Sequence, residues 1–127
     1  MQPLGRRRWV IAEGYLPGPP PTGPRPLVSH ETACILNTSD QPAHIRITIF
    51  FADREPAGPY TLVVPARRTS HLRFDDLSQP EAIPRETDFS SVIESDVPVV
   101  VQHTRLDNRS GSIALMTTTA WPDPDSQ

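Results

Sequence analysis

A chain of 127 residues, 36% of them hydrophobic, has enough material for one domain that buries roughly two-thirds of its unfolded surface. Its 16 prolines argue against a helical protein, because proline breaks helix interiors and is tolerated at strand edges, turns and linkers. A net charge of -3 provides no global field to draw the chain to nucleic acid or to an anionic membrane.

All 12 positive side chains are arginine, the residue suited to bidentate contacts with carboxylates or phosphates. The single cysteine, Cys34, excludes an intrachain disulfide and fits a reducing compartment. No apolar run approaches the length of a membrane span. Arg6, Arg7 and Arg8 precede only four apolar residues before Glu13 and Gly14, too few for an export signal. The expected location is the cytoplasm.

In chain order, Trp9 to Ala12 forms a short first strand. Residues 17–26, PGPPPTGPRP, form an extended, hydrogen-bond-poor connection along a sheet edge. His30 to Leu36 is the first long strand, closed by the turn residues Asn37-Thr38-Ser39-Asp40. His44 to Phe51 alternates most cleanly: Ile45, Ile47, Ile49 and Phe51 take the core face, with His44, Arg46, Thr48 and Phe50 opposite. Asp53 to Pro59 is a loop, Tyr60 to Val64 a strand, and Arg68 to Phe74 another beyond Pro65. Leu77 to Asp88 is a loop holding two prolines. Phe89 to Glu94 and Val97 to Leu106 are strands, the second one central, and Ile113 to Trp121 is the last. These elements predict an all-β chain, a single antiparallel β-sandwich or jelly roll of about eight short strands over residues 1–121. Residues 122–127 are expected to be a disordered acidic tail.

The segment Val97 to Asp107, VPVVVQHTRLD, is apolar at its start and polar at its end. Successive side chains of a strand point to opposite faces, so Val99, Val101, His103 and Arg105 share one face. Together with Glu13, His30, Glu31 and Gln102, His103 and Arg105 provide the donors and acceptors of a site for a polyhydroxylated or anionic small molecule. Arg105 is expected to pair with an acidic group or hydroxyls, His103 and Gln102 to fix orientation, and Glu31 to accept from hydroxyls. Trp9, Tyr15 or Trp121 are candidates for a stacking face. A hydrogen-bonded rim or subunit contact is the other reading of the same residues.

Three alternatives are weaker. His30, Glu31 and His103 are ordinary zinc ligand types but lack a ligand spacing, so no metal or cofactor is expected. Neighbouring Ser29, His30 and Glu31 cannot form a triad along one strand, and no nucleophile elbow, P-loop or dinucleotide fingerprint occurs, so no catalytic residue is assigned. Arg67, Arg68 and Arg73 form a basic stripe, a candidate contact for DNA phosphates, set against the acidic Asp75, Asp76 and Glu81. Cys34 is expected to be a small buried hydrophobe.

Five blocks taken in order carry a family resemblance. They are Trp9-x-Ile11-Ala12-Glu13-Gly14-Tyr15, Ser29-His30-Glu31-Thr32-x-Cys34-Ile35-Leu36-Asn37, Glu55-Pro56-x-Gly58-Pro59-Tyr60, Val64-Pro65-Ala66-Arg67-Arg68-Thr69 and Val101-Gln102-His103-Thr104-Arg105-Leu106-Asp107. The chain resembles the sensory rhodopsin transducer family from about Trp9 to Trp121. That resemblance implies a soluble, cytoplasmic, mostly β, non-enzymatic signalling protein that assembles as a homotetramer. It implies a membrane sensory rhodopsin as partner, a sugar-like small molecule as ligand in the wider family, and DNA as an alternative partner.

Overall fold

A computed structural model describes residues 2–19 and 22–127; Pro20 and Pro21 of the proline-rich connection lie outside the described residues. Eight strands follow one another: β1 (Arg6–Ile11), β2 (His30–Asn37), β3 (Ala43–Phe51), β4 (Ala57–Val64), β5 (Arg68–Arg73), β6 (Phe89–Asp107), β7 (Ala114–Thr119) and β8 (Trp121–Pro122). Every pairing is antiparallel. One sheet runs β4-β3-β6-β1-β8, and β5, β2 and β7 join it through β6. The fold is thus all-β, as the sequence indicates.

The two segments expected as separate strands at Phe89 to Glu94 and Val97 to Leu106 are one strand of 19 residues. Its first half pairs with β3 through Phe89 to Ser95, and its second half pairs with β2 through Val100 to Leu106. The change of partners falls around Pro98, which has no N–H to donate to a ladder. β6 therefore passes from one layer of the sandwich to the other while keeping its inward face. Phe89, Ser91, Ile93, Ser95, Val99, Val101 and His103 are all buried, and every one is an odd-numbered position.

β3 shows the same two-residue period. Ile45, Ile47 and Ile49 are 1% exposed or less, whereas His44, Arg46 and Phe50 face outward. Each buried isoleucine contributes on the order of 1.5–3 kcal/mol by leaving water. They pack with Trp9, Ala33, Ile35, Phe74, Phe89 and Val99 in one core shared by both layers.

Two differences from expectation concern the C-terminal region. Ile113 to Trp121 is broken at Ala120, which is buried and donates its N–H to the Val101 carbonyl, so that β7 and β8 lie on different neighbours. The tail expected to be disordered instead follows β1: Trp121 and Pro122 pair with Val10 and Trp9, and the Arg7 N–H donates to the Ser126 carbonyl. Arg8 also holds Asp123 at 2.9 Å. One of the tail's two acidic residues, Asp123, finds an arginine on β1, a match between segments far apart in sequence.

Candidate functional site

The site lies where the second half of β6 runs beside β2. Register places Glu31 opposite Arg105 and Ala33 opposite His103, so Glu31, His103 and Arg105 share the inward face. The start of β2 is tied to the end of β6 by Asn108, whose Oδ1 accepts from the Ser29 N–H and whose Nδ2 donates to the Leu27 carbonyl.

Glu13 and Tyr15 arrive from the loop after β1. Gly14 between them lies so close to the Phe89 ring that a Cβ would sit 2.5 Å from it. The Phe89 N–H donates to the Gly14 carbonyl, and Tyr15 bridges to Asp88, which fixes the loop over the end of β2. Absence of a side chain at position 14 is what allows that approach.

Glu31 is a carboxylate only 1% exposed, and each of its oxygens is used. Oε1 lies 2.6 Å from His103 Nε2. Oε2 accepts from the Tyr15 backbone N–H and from Arg105 Nη2 at 3.1 Å. Arg105 Nη2 also donates to Glu13 Oε1 at 2.8 Å. A buried carboxylate without such donors would cost several kcal/mol in desolvation. Burial alone would lower the pKa of Arg105; the hydrogen bond to Glu13 and the charge of Glu31 outweigh it and hold the guanidinium above the usual arginine range.

Beside the cluster is a cleft of about 250 Å³ lined by Glu13, His103, Arg105, Met116, Thr117 and Thr118. Glu13, His103 and Thr118 also line an adjoining cleft of about 410 Å³ that reaches Trp121. The other side of the Glu31–Arg105 pair has a pocket of about 20 Å³, room for a single water.

Of the six residues singled out in the sequence, Glu13, Glu31, His103 and Arg105 come together and the other two do not. Gln102 is exposed on the opposite face, level with Cys34 and Thr119. His30 lies outside the hydrogen-bonded cluster; its Nδ1 is 2.7 Å from the Val28 carbonyl, and it borders both a groove with Thr32, Cys34 and His71 and the small pocket behind the Glu31–Arg105 pair. Glu31 differs in role, since its oxygens are occupied by the protein's own donors and it anchors the cluster. The two-residue strand period accounts for the placement of Gln102 and His30.

The aromatic candidates divide similarly. Trp9 is buried, its indole N–H bonded to the Arg6 and Val99 carbonyls at 3.0 and 2.9 Å. Tyr15 lies under the Arg109 guanidinium at 5.8 Å. Trp121 is exposed at the second cleft. Met116 and Thr118 went unrecognised as site residues because the wide β6–β7 turn hid their register with Arg105 and His103.

The zinc combination does not assemble, because His30 faces away from Glu31 and His103; among the described residues no group of three or more His, Cys, Asp or Glu is placed to hold a metal. Nor do Arg67, Arg68 and Arg73 form a stripe open to phosphates. Arg73 grips Asp75 with two hydrogen bonds, of 2.9 and 2.7 Å, and Arg67 reaches Asp40 at 3.4 Å. Arg68 and Arg73 also have opposite parity on β5 and leave it on opposite faces. No helix among the described residues is long and apolar enough to cross a membrane.

Comparisons with known proteins bear on the fold and the family. The family model described as Anabaena sensory rhodopsin transducer matches residues 4–122. A solved structure titled Anabaena sensory rhodopsin transducer is 59% identical, with a TM-score of 0.76, and the match covers 84% of this chain and all of that one. Another, titled Crystal Structure of Thermotoga maritima 1070, is 37% identical with a TM-score of 0.83, covering 97% of this chain and 98% of that one. No curated protein matches the chain. A family match over nearly the whole length, with an all-β fold to go with it, means that the chain belongs to the Anabaena sensory rhodopsin transducer family.

Proposed function

We propose that this chain is a non-enzymatic signalling subunit of the cytoplasm that works as a homotetramer and binds a small polyhydroxylated, sugar-like molecule beside Arg105. The observation that carries the reading is the cleft of about 250 Å³ lined by Glu13, His103 and Arg105 together with Met116, Thr117 and Thr118 of the neighbouring strand. Charged and hydroxyl groups beside an apolar side chain match the two kinds of surface on a sugar ring. Arg105 donates to ligand hydroxyls, Glu13 accepts from them, and His103 orients the ligand. Glu31 holds Arg105 and His103 in place from behind. Such a binding protein needs no nucleophile and no metal.

A panel of monosaccharides and sugar acids screened by thermal shift tests it. A ligand at about a hundred times its Kd stabilises by about 2.7 kcal/mol, which raises Tm by roughly 10 °C for a chain of this size. Arg105→Ala and His103→Ala are expected to abolish the rise. A folded double mutant that still responds would refute the assignment.

The resemblance to a protein named as a sensory rhodopsin transducer at 59% identity supports a membrane photoreceptor as the upstream partner. Co-sedimentation with proteoliposomes holding a sensory rhodopsin, compared with empty ones, tests this partner separately from the ligand. Equal recovery with both removes it.

A further inference from the structure

The outer face of the layer formed by β5, β2 and the second half of β6 carries a groove on the far side of β2 from Glu31. Parity puts His30, Thr32 and Cys34 on this face. Register sets Thr104 of β6 and Arg73 of β5 beside Thr32, and His71 directly across from Cys34. A short 3-10 turn, Arg25–Leu27, adds Arg25 and Pro26 to the lining. The volume of about 450 Å³ falls within the roughly 300–1,000 Å³ of small-molecule sites.

Three features set this groove apart from an ordinary sheet face. Thr32 is only 6% exposed and lines the groove, and its hydroxyl makes no hydrogen bond to the described residues, although buried hydroxyls are normally paired. Cys34, expected to be a buried hydrophobe, is partly exposed, with its Sγ 3.8 Å from Thr104 Oγ1. Two guanidinium and two imidazole groups line the groove, and no carboxylate does. Arg25 and Arg73 are fixed in position: Arg73 Nη1 donates to the Arg25 carbonyl at 2.9 Å, and the two side chains reach Asp76 and Asp75, which lie outside the lining. A partly exposed thiol among basic groups is the setting in which cysteine reacts, whereas a thiol enclosed by apolar atoms is inert.

We propose that the groove is a thiol-modification site, in which Cys34 forms a mixed disulfide with a small anionic thiol of the glutathione class. The Cys34 thiolate attacks one sulfur of the symmetrical disulfide. A new S–S bond forms to Cys34, the original S–S bond breaks, and the departing thiolate takes up the proton that Cys34 lost. The disulfide is itself the oxidant, so no other is required. His71 is placed to carry that proton, since directly opposite side chains of a strand pair stand about 4.5–5.5 Å apart at Cβ. Carboxylates of the incoming group face Arg25 and Arg73, and the Thr32 hydroxyl gains the partner it lacks. A neutral or cationic thiol is less suited to a groove with four basic side chains and no acid. Exchange with excess thiol reverses the adduct. The groove and the Glu31 cluster lie on opposite faces of β2, so the inference is independent of the ligand reading above.

Cys34 is the single cysteine, so intact mass alone locates an adduct. Native protein is incubated with glutathione disulfide, which is net negative, and separately with cystamine, which is net positive, and adduct formation is followed by mass spectrometry. The same two rates on the urea-unfolded chain supply the intrinsic reactivity of each reagent. One glutathione per native chain is expected, removable by dithiothreitol. The rate ratio of glutathione disulfide to cystamine is expected to be several-fold higher in the native protein than in the unfolded chain. Arg25→Gln combined with His71→Gln, both at exposed positions, should bring that ratio down towards the unfolded value. The wild-type comparison gives the answer without the variant if the variant misfolds by circular dichroism. A native protein that takes up no glutathione while the unfolded chain does overturns the proposal. So does a native ratio equal to or below the unfolded one, which marks an exposed thiol without a selective groove, or an unchanged ratio in the folded double variant.

Discussion

Glu31 is almost out of contact with water, and its burial is tolerable only because three donors reach it. Removing it leaves His103 and part of Arg105 facing an apolar gap, and breaking a buried ion pair from one side costs about 3–5 kcal/mol. Glu31→Ala is expected to lose at least about 3 kcal/mol in urea unfolding. Glu31→Leu combined with His103→Leu should lose less than Glu31→Ala does, because the second change removes the stranded partner. Asp107 gives a different signal. Hydrogen bonds from the Arg109 side chain and then from its backbone N–H lower its pKa from 3.8 to about 2. A depressed carboxylate pKa favours the folded state above the unfolded value, and that contribution disappears as pH falls from about 4 to about 2. Acid unfolding followed by circular dichroism should therefore shift to higher pH in Asp107→Asn.

Among the elements, β6 decides most. Its odd-numbered residues run from Phe89 through Val101 to His103 on one inward face, so a core strand ends in a polar site without leaving the interior. Parity along this strand was readable in VPVVVQHTRLD; its length was not, because a proline inside a strand normally marks an end. At this handover between two layers the missing N–H is harmless. The opening of β1 depends on Gly5, whose φ is +107° and where a Cβ would lie 1.8 Å from the Val99 carbonyl oxygen. Gly5→Ala is expected to cost about 2 kcal/mol in unfolding free energy through backbone strain alone.

At the scale of the molecule, the clearest feature is how unevenly its edges are finished. β8 and the tail close the outer edge of β1 through Arg8, Asp123 and Ser126, whereas β7 stands open. Truncation after Trp121 is expected to lower stability by about 1–2 kcal/mol, the scale of a few backbone hydrogen bonds and one exposed ion pair, as measured by thermal unfolding.

The sequence by itself determined the all-β class, the isoleucine face of β3, the shared face of His103 and Arg105, and the family. Each of these depends on the two-residue period of a strand or on local motifs, both of which are written in neighbouring residues. Tertiary structure alone decided which faces meet. Register between β2 and β6 put Glu31 against His103 and Arg105 and sent His30 and Gln102 outward. A glycine packed on Phe89 brought Glu13 into reach, and a wide turn set Met116 and Thr118 beside Arg105 and His103. Contacts between segments tens of residues apart follow from packing and pairing over the whole chain, and no local pattern records them.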